Sequence, residues 1–241
     1  MSLLIFEGIA MYDKPRFLLA GDKGVLVEFG AAIDPEINRK VRQIFLSLEK
    51  TPLDGVTEII PTYRSLLIFY NPFKSNPKRI SQEILDRENK LDEWEIPPPE
   101  TIEIPVAYGG DLGPDLEFVS QHNNLTPEEV IQIHTSRTYL IYMLGFTPGY
   151  PFLGGLSEKI STPRLENPRQ FVPAGSVAIA NNQTGIYPID SPGGWQLIGR
   201  TPLKLYDPTG SPPILLKAGN YLKFKRISME DFEKRVKKNK R

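Results

Sequence analysis

The chain has 241 residues, 40% of them hydrophobic and 10% aromatic, which suits a globular core and allows one or two domains. Twenty-nine Lys and Arg balance 29 Asp and Glu, so no net field draws the chain to nucleic acid or to an anionic membrane. There is no cysteine, which excludes disulfides, thiolate metal sites and cysteine nucleophiles.

Met1 to Ala10 lacks the cationic start and long apolar stretch of a signal peptide, and apolar runs such as Tyr139 to Phe146 are too short to span a bilayer. A soluble cytoplasmic protein is expected. From Phe17 to about Glu93, short apolar runs alternate with helical periodicity. Gly24 to Gly30 and Ser65 to Tyr70 read as strands. Between them Ile37, Val41, Ile44, Phe45 and Leu48 share one helical face, with Asp34 as N-cap and Pro35 in the first turn. A second helix starts at Asn76-Pro77 and turns Ile80, Ile84 and Leu85 inward. Residues 1–95 are expected to form a small α+β domain of a ferredoxin-like kind.

Pro97, Pro98 and Pro99 stiffen the chain and cannot donate to a sheet, which marks the boundary to a second domain over residues 96–241. Thr101 to Ala107 alternates like a strand. Gly109-Gly110-Asp111 and Gly113-Pro114-Asp115 make a turn before a short helix that Asp115 would cap. Thr126-Pro127-Glu128-Glu129 is a capping box for a helix running to about Thr135, and Arg137 to Leu144 reads as a further apolar helix. Strands are then expected at Ser176–Ala180, Gly185–Ile189, Trp195–Thr201, Leu203–Tyr206, Ile214–Lys217 and Tyr221–Ile227. Many short strands separated by turns suggest a closed or nearly closed barrel. Ser228 to Asp231 starts a terminal helix, and nine basic against three acidic residues from Lys223 to Arg241 read as its solvated face.

Between Tyr142 and Pro202, glycine and proline concentrate in four clusters: Gly145 to Gly155, Val172 to Ser176, Ser191 to Trp195 and Gly199 to Pro202. Glycine permits positive φ and proline fixes φ, so such mixtures specify shaped loops, and shaped loops beside strands build sites. These clusters, with Pro163-Arg164 and Gly185-Ile186-Tyr187-Pro188, closely resemble the KipI family, whose members are also called allophanate hydrolase subunit 1 or 5-oxoprolinase subunits. The resemblance covers essentially the whole chain. It implies an N-terminal α+β domain followed by a mostly-β cyclophilin-like barrel domain. It also implies half of a carboxyltransferase-type module, whose other half is a KipA-like 5-oxoprolinase subunit. With a third oxoprolinase subunit, that assembly would hydrolyse 5-oxoproline to glutamate at the expense of ATP. The family also includes an inhibitor of a sporulation histidine kinase, so a kinase-binding regulator is the alternative. Prolyl isomerisation is a weaker third reading, because barrel shape does not transfer an activity.

Opening a lactam needs anion binding, oxygen polarisation and exclusion of water. Arg200, between Gly199 and Thr201, could hold a carboxylate or phosphate, or pair with a carboxylate to close the barrel. Gly175 and Ser176 could offer backbone N–H groups to an oxyanion, or form a plain tight turn. Ser176 makes a poor acyl nucleophile, since it lies in no G-x-S-x-G elbow. His134 falls on the buried face of its helix, either as a satisfied core histidine or in proton transfer, and His122 reads as a surface residue. Phe146, Gly149, Tyr150, Pro151, Gly193, Gly194, Trp195 and Thr201 are the candidate substrate-binding residues, with packing as the alternative for the two large rings, Phe146 and Trp195. Two isolated histidines make no metal site, and neither a Walker-type phosphate loop nor a G-x-G-x-x-G turn occurs to bind ATP in this chain.

Overall fold

The computed structural model describes residues 11–239 and divides into two compact units between Pro98 and Pro99. The first unit runs β1 (Met11–Leu19), β2 (Gly24–Gly30), α1 (Pro35–Lys50), β3 (Val56–Pro61), β4 (Ser65–Tyr70) and α2 (Pro77–Glu88). Its strands make one antiparallel sheet in the order β1-β2-β4-β3. β4 lies between the two strands that α1 connects, a split β-α-β arrangement.

Local chemistry dictates α1. The Asp34 carboxylate accepts from the backbone N–H of Glu36 (2.8 Å) and Ile37 (3.2 Å), and Pro35 opens the first turn. Ile37, Val41, Ile44 and Leu48 are buried as their spacing predicts, while Phe45 is half-buried. In α2 the Asn76 side chain caps the Arg79 N–H at 3.0 Å, with Ile80 and Ile84 in the core and Leu85 half-buried. Arg87 ties the helices together by donating to Ser47 Oγ (3.1 Å), the Thr51 carbonyl (2.8 Å) and Glu83 (2.9 Å). β3 carries no clear sequence signal; it is an edge strand ending in Pro61, where a missing N–H costs little.

The second unit runs β5 (Thr101–Tyr108), α3 (Leu116–His122), α4 (Pro127–Ser136), β6 (Thr138–Leu144), β7 (Pro151–Gly154), β8 (Arg169–Val172), β9 (Ser176–Ala180), β10 (Gln183–Ile186), β11 (Ser191–Gly193), β12 (Gln196–Arg200), β13 (Tyr221–Arg226) and α5 (Met229–Asn239). Seven strands close a barrel in the order β10-β7-β6-β13-β5-β12-β9, and β8 pairs separately with β11. Neighbours are antiparallel except β5 and β13, which run parallel from Thr101 opposite Tyr221 to Val106 opposite Arg226. That pairing joins the first and last barrel strands, so the sheet has no open edge. Ile104, Val106, Tyr139, Ile141, Val177 and Ile198 are among the side chains that fill the core. Among the described residues no helix is long and apolar enough to cross a membrane.

Three expectations change. Arg137 to Leu144, expected as a helix, is strand β6: an eight-residue apolar run does not fix its own period, and here pairing to β13 and β7 satisfies its backbone while Tyr139 and Ile141 fill the interior. Leu203–Tyr206 and Ile214–Lys217, expected as strands, form a turn-rich connection tied by one bridge between Tyr206 and Ile214. Their alternation reflects Leu205 and Leu216 plugging into the core without a ladder. The strand expected at Gly185–Ile189 lies earlier in the chain, at Gln183–Ile186.

Candidate functional site

The connection between β6 and β7 is held by its own backbone. The Gly145 N–H donates to the Tyr150 carbonyl (3.1 Å), the Tyr150 N–H donates to the Thr147 carbonyl (3.1 Å), and Gly149 turns the chain at φ +82°. Phe146 sits at φ +63° with 70% of its surface exposed. A left-handed conformation costs a bulky residue about 1–2 kcal/mol, and such strain persists where a loop shape is imposed for function.

Tyr150 is the hub beneath this loop. Its ring packs edge-on against Phe146 (5.7 Å between centroids), Phe152 (5.3 Å), Tyr187 (5.5 Å) and Trp195 (6.0 Å). These five rings, with Pro192, Gly193, Gly194 and Arg164, line a cleft of about 200 Å³. Gly193 has to lack a side chain, because a Cβ there would run into the Tyr187 ring. Burial pushes the Tyr187 hydroxyl pKa up, against the pull of a backbone hydrogen bond from Trp195 and the nearby Arg164 and Arg169, so it stays protonated on the cleft wall. Thr147 Oγ1, Ser191 Oγ and Gln196 Oε1 are buried without a hydrogen-bond partner, and each is adjacent in sequence to a lining residue. Unpaired buried polar atoms are uncommon in folded proteins, and three of them here flank residues of this one cleft in the sequence.

A clamp from outside the glycine clusters fixes Trp195. Asp115 accepts from Arg169 Nη2 (2.6 Å) and from the Leu197 N–H (2.6 Å), and its own N–H donates to the Leu197 carbonyl (2.9 Å). Arg169 Nη1 also reaches the Trp195 carbonyl at 3.5 Å. Asp115 therefore makes no cap bond to α3, contrary to expectation. The carboxylate is turned instead to the Arg169 guanidinium of β8 and the Leu197 N–H of β12, which engage both of its oxygens. No sequence signal would have found this pair, since its members lie 54 residues apart.

The structure does not bring all the expected residues together. Phe146, Tyr150, Gly193, Gly194 and Trp195 share the aromatic cleft. Pro151 is buried at the start of β7, and a Cβ on Gly149 would face Ile214 and Leu205. Arg200 and Thr201 line a different cleft of about 380 Å³, with Lys204 and, from α5, Phe232 and Val236. There Arg200 Nε donates to the Ala174 carbonyl (2.8 Å), and no carboxylate pairs with it among the described residues. Gly175, at φ +84°, leaves no room for a Cβ beside the Thr201 carbonyl at 2.5 Å. Its N–H goes to the Tyr187 carbonyl (2.6 Å) and that of Ser176 to the Pro173 carbonyl (3.2 Å), so both donors are already engaged by backbone carbonyls.

His134 is fully buried, with Nδ1 bonded to the Tyr108 hydroxyl (2.8 Å) and Nε2 to the Thr184 hydroxyl (2.9 Å), and it stacks on Phe224 at 4.3 Å. Burial lowers its pKa to about 3, which keeps the imidazole neutral. His122 is exposed at the end of α3. Among the described residues no three His, Asp or Glu side chains gather as a metal site.

The family model described as the carboxyltransferase domain, subdomain C and D, matches residues 15–216. The chain belongs to this carboxyltransferase-domain family. Family relatives include a 5-oxoprolinase subunit of Bacillus subtilis, 47% identical over 223 residues, a match covering 88% of this chain and 92% of that protein. The subunit of the same name from Escherichia coli O157:H7 is 39% identical over 215 residues, covering 88% of this chain and 96% of the relative. In structure, the Kluyveromyces lactis urea carboxylase superposes with a TM-score of 0.75 at 21% identity, covering 96% of this chain and 24% of that one. That last likeness concerns the carboxyltransferase fold alone.

Proposed function

We propose that this chain is one subunit of an ATP-dependent 5-oxoprolinase complex that hydrolyses 5-oxoproline to glutamate, and that the aromatic cleft is its share of an active site completed by a partner. The observation that carries the reading is the 47% and 39% identity to two proteins named as one and the same 5-oxoprolinase subunit, over nearly their whole length. In finer detail, we read residues 1–95 as a ferredoxin-like α+β domain and residues 96–241 as a cyclophilin-like barrel; the split β-α-β order and the closed ring of seven strands support this. The partners in this reading are a KipA-like 5-oxoprolinase subunit and a third oxoprolinase subunit.

The cleft's chemistry suits a small ring. Its volume, about 200 Å³, is well below the roughly 300–1,000 Å³ of sites for drug-sized ligands. A five-membered lactam fits that scale and a nucleoside triphosphate does not, so the ATP used by the complex is not assigned to this cleft. Aromatic walls exclude water from the amide, and the Tyr187 hydroxyl offers a donor on the same wall.

The test is reconstitution. Purified alone, the chain is expected to show no 5-oxoproline-dependent ATP hydrolysis, and the mixture with its two partner subunits to show it. Turnover by the isolated chain would overturn the shared-site reading. A complex that forms yet ignores 5-oxoproline, while the chain inhibits a histidine kinase, would favour the regulatory alternative.

A further inference from the structure

We infer that Arg164 is the residue of the aromatic cleft that binds the substrate's carboxylate, which makes this a site for small, planar, anionic rings. The inference rests on the proposed function for the identity of the ring, but its geometry stands independently.

Among the described residues lining the cleft, Arg164 is the only charged one. Its guanidinium carbon lies 5.8 Å from the centroid of the Trp195 ring. No hydrogen bond or ion pair among the described residues occupies the guanidinium, whereas Arg169 close by is neutralised by Asp115 at 2.6 Å. An arginine resting on an aromatic face keeps its fork of N–H donors directed outward, and that fork matches a carboxylate with two parallel bonds.

The backbone on either side of Arg164 is pinned, as a binding residue requires. Gln196 Nε2 donates to the Pro163 carbonyl at 2.9 Å, and the Leu165 N–H donates to the Gly194 carbonyl at 2.7 Å. Gln196 itself is 2% exposed, so this anchor is part of the folded core. The backbone of the segment carrying Arg164 is thus stitched to the segment that carries Trp195, which keeps the cation within reach of that ring. Arg164 itself is exposed, so these ties hold its backbone while the guanidinium stays open to a ligand.

A lactam acid would then lie with its ring among Phe146, Tyr150 and Trp195 and its carboxylate on Arg164. Selectivity follows from charge. A neutral lactam of the same shape would find the same walls and no anchor.

The experiment uses the reconstituted complex with Arg164→Gln and Arg164→Lys. Loss of a charge-assisted pair is expected to raise KM for 5-oxoproline on the order of 10–100-fold with kcat little changed, and Arg164→Lys to recover part of the loss. Inhibition by 2-pyrrolidinone, the same ring without the carboxylate, is expected to be equal in wild type and Arg164→Gln. An unchanged KM in Arg164→Gln overturns the inference, and so does a parallel loss of 2-pyrrolidinone inhibition, which would mean that the cleft had collapsed. A wild-type complex with no activity on 5-oxoproline sinks the functional reading instead, and fluorescence of the full chain then decides the anion site. Trp94→Phe leaves Trp195 as the sole tryptophan, since the chain has two. Its emission is expected to change saturably with 5-oxoproline, and not once Arg164→Gln is added. No saturable change, or one that survives Arg164→Gln, overturns the inference in that case.

Discussion

His134 and Phe146 show how differently two conspicuous residues can be used. The His134 pKa is about 3 in the fold because burial penalises the cation. Its folded pKa lies below the ordinary value of about 6.5, so the unfolded chain takes up the proton first as the pH drops. The stabilisation is complete above about pH 6.5 and is lost towards pH 3, by up to about 1.4 kcal/mol per pH unit. Melting temperatures measured between pH 7 and 5 should fall more steeply for wild type than for His134→Gln; parallel slopes would remove the histidine from the acid response. Phe146, at 70% exposure, contributes little to the core. Phe146→Ala is expected to change stability by less than about 0.5 kcal/mol while weakening activity of the complex. Trp195→Ala, at a site 8% exposed within a buried aromatic cluster, is expected to cost about 3–5 kcal/mol in thermal or denaturant unfolding. A large stability loss at Phe146 or none at Trp195 would reverse these assignments.

At the scale of elements, the cleft depends on strands that the loops do not reveal. β12 carries Trp195 just before its first residue and is fixed by the Asp115 carboxylate, with Arg169 of β8 completing the clamp. Asp115→Ala would leave the Leu197 N–H without its acceptor and the Arg169 guanidinium without its carboxylate, at about 1–3 kcal/mol for the buried donor. The expected outcome is a destabilised chain with altered tryptophan fluorescence from Trp195. Asp115→Asn should keep the Leu197 bond and lose less, and an equal loss in both variants would show that charge, rather than the backbone bond, carries the clamp. The misreading of β6 belongs to this scale too. Its apolar run fits either period, and the choice is made by β13 and β7, which lie elsewhere in the sequence.

For the molecule as a whole, the division between Pro98 and Pro99 falls at the proline run that composition marks. We propose that each unit folds on its own core, since one cluster centres on Phe29, Ile44 and Ile68 and the other on Tyr139, Ile141 and Phe224. Limited proteolysis should cut between Trp94 and Thr101 and leave a C-terminal fragment that melts cooperatively. A chain that resists cleavage there, or a fragment without a cooperative transition, would defeat independent folding.

Short-range chemistry was legible in the sequence. The Asp34 and Asn76 caps, the Thr126 to Glu129 capping box and the inward face of α1 follow from neighbours three or four residues apart, and they form as written. The clusters of glycine and proline likewise announced the loops that carry Phe146, Tyr150, Gly193 and Trp195, because backbone geometry at those residues is intrinsic. Tertiary structure alone decided what meets across the barrel: the pairing of β5 with β13, the choice of Tyr108 and Thr184 as the partners of His134, the Asp115–Arg169 clamp, and the separation of Arg200 from the aromatic cleft. Each is a contact between residues far apart in the chain, whose partners are chosen when closure of the sheet fixes register and side-chain direction together. Local propensity carries no record of that choice.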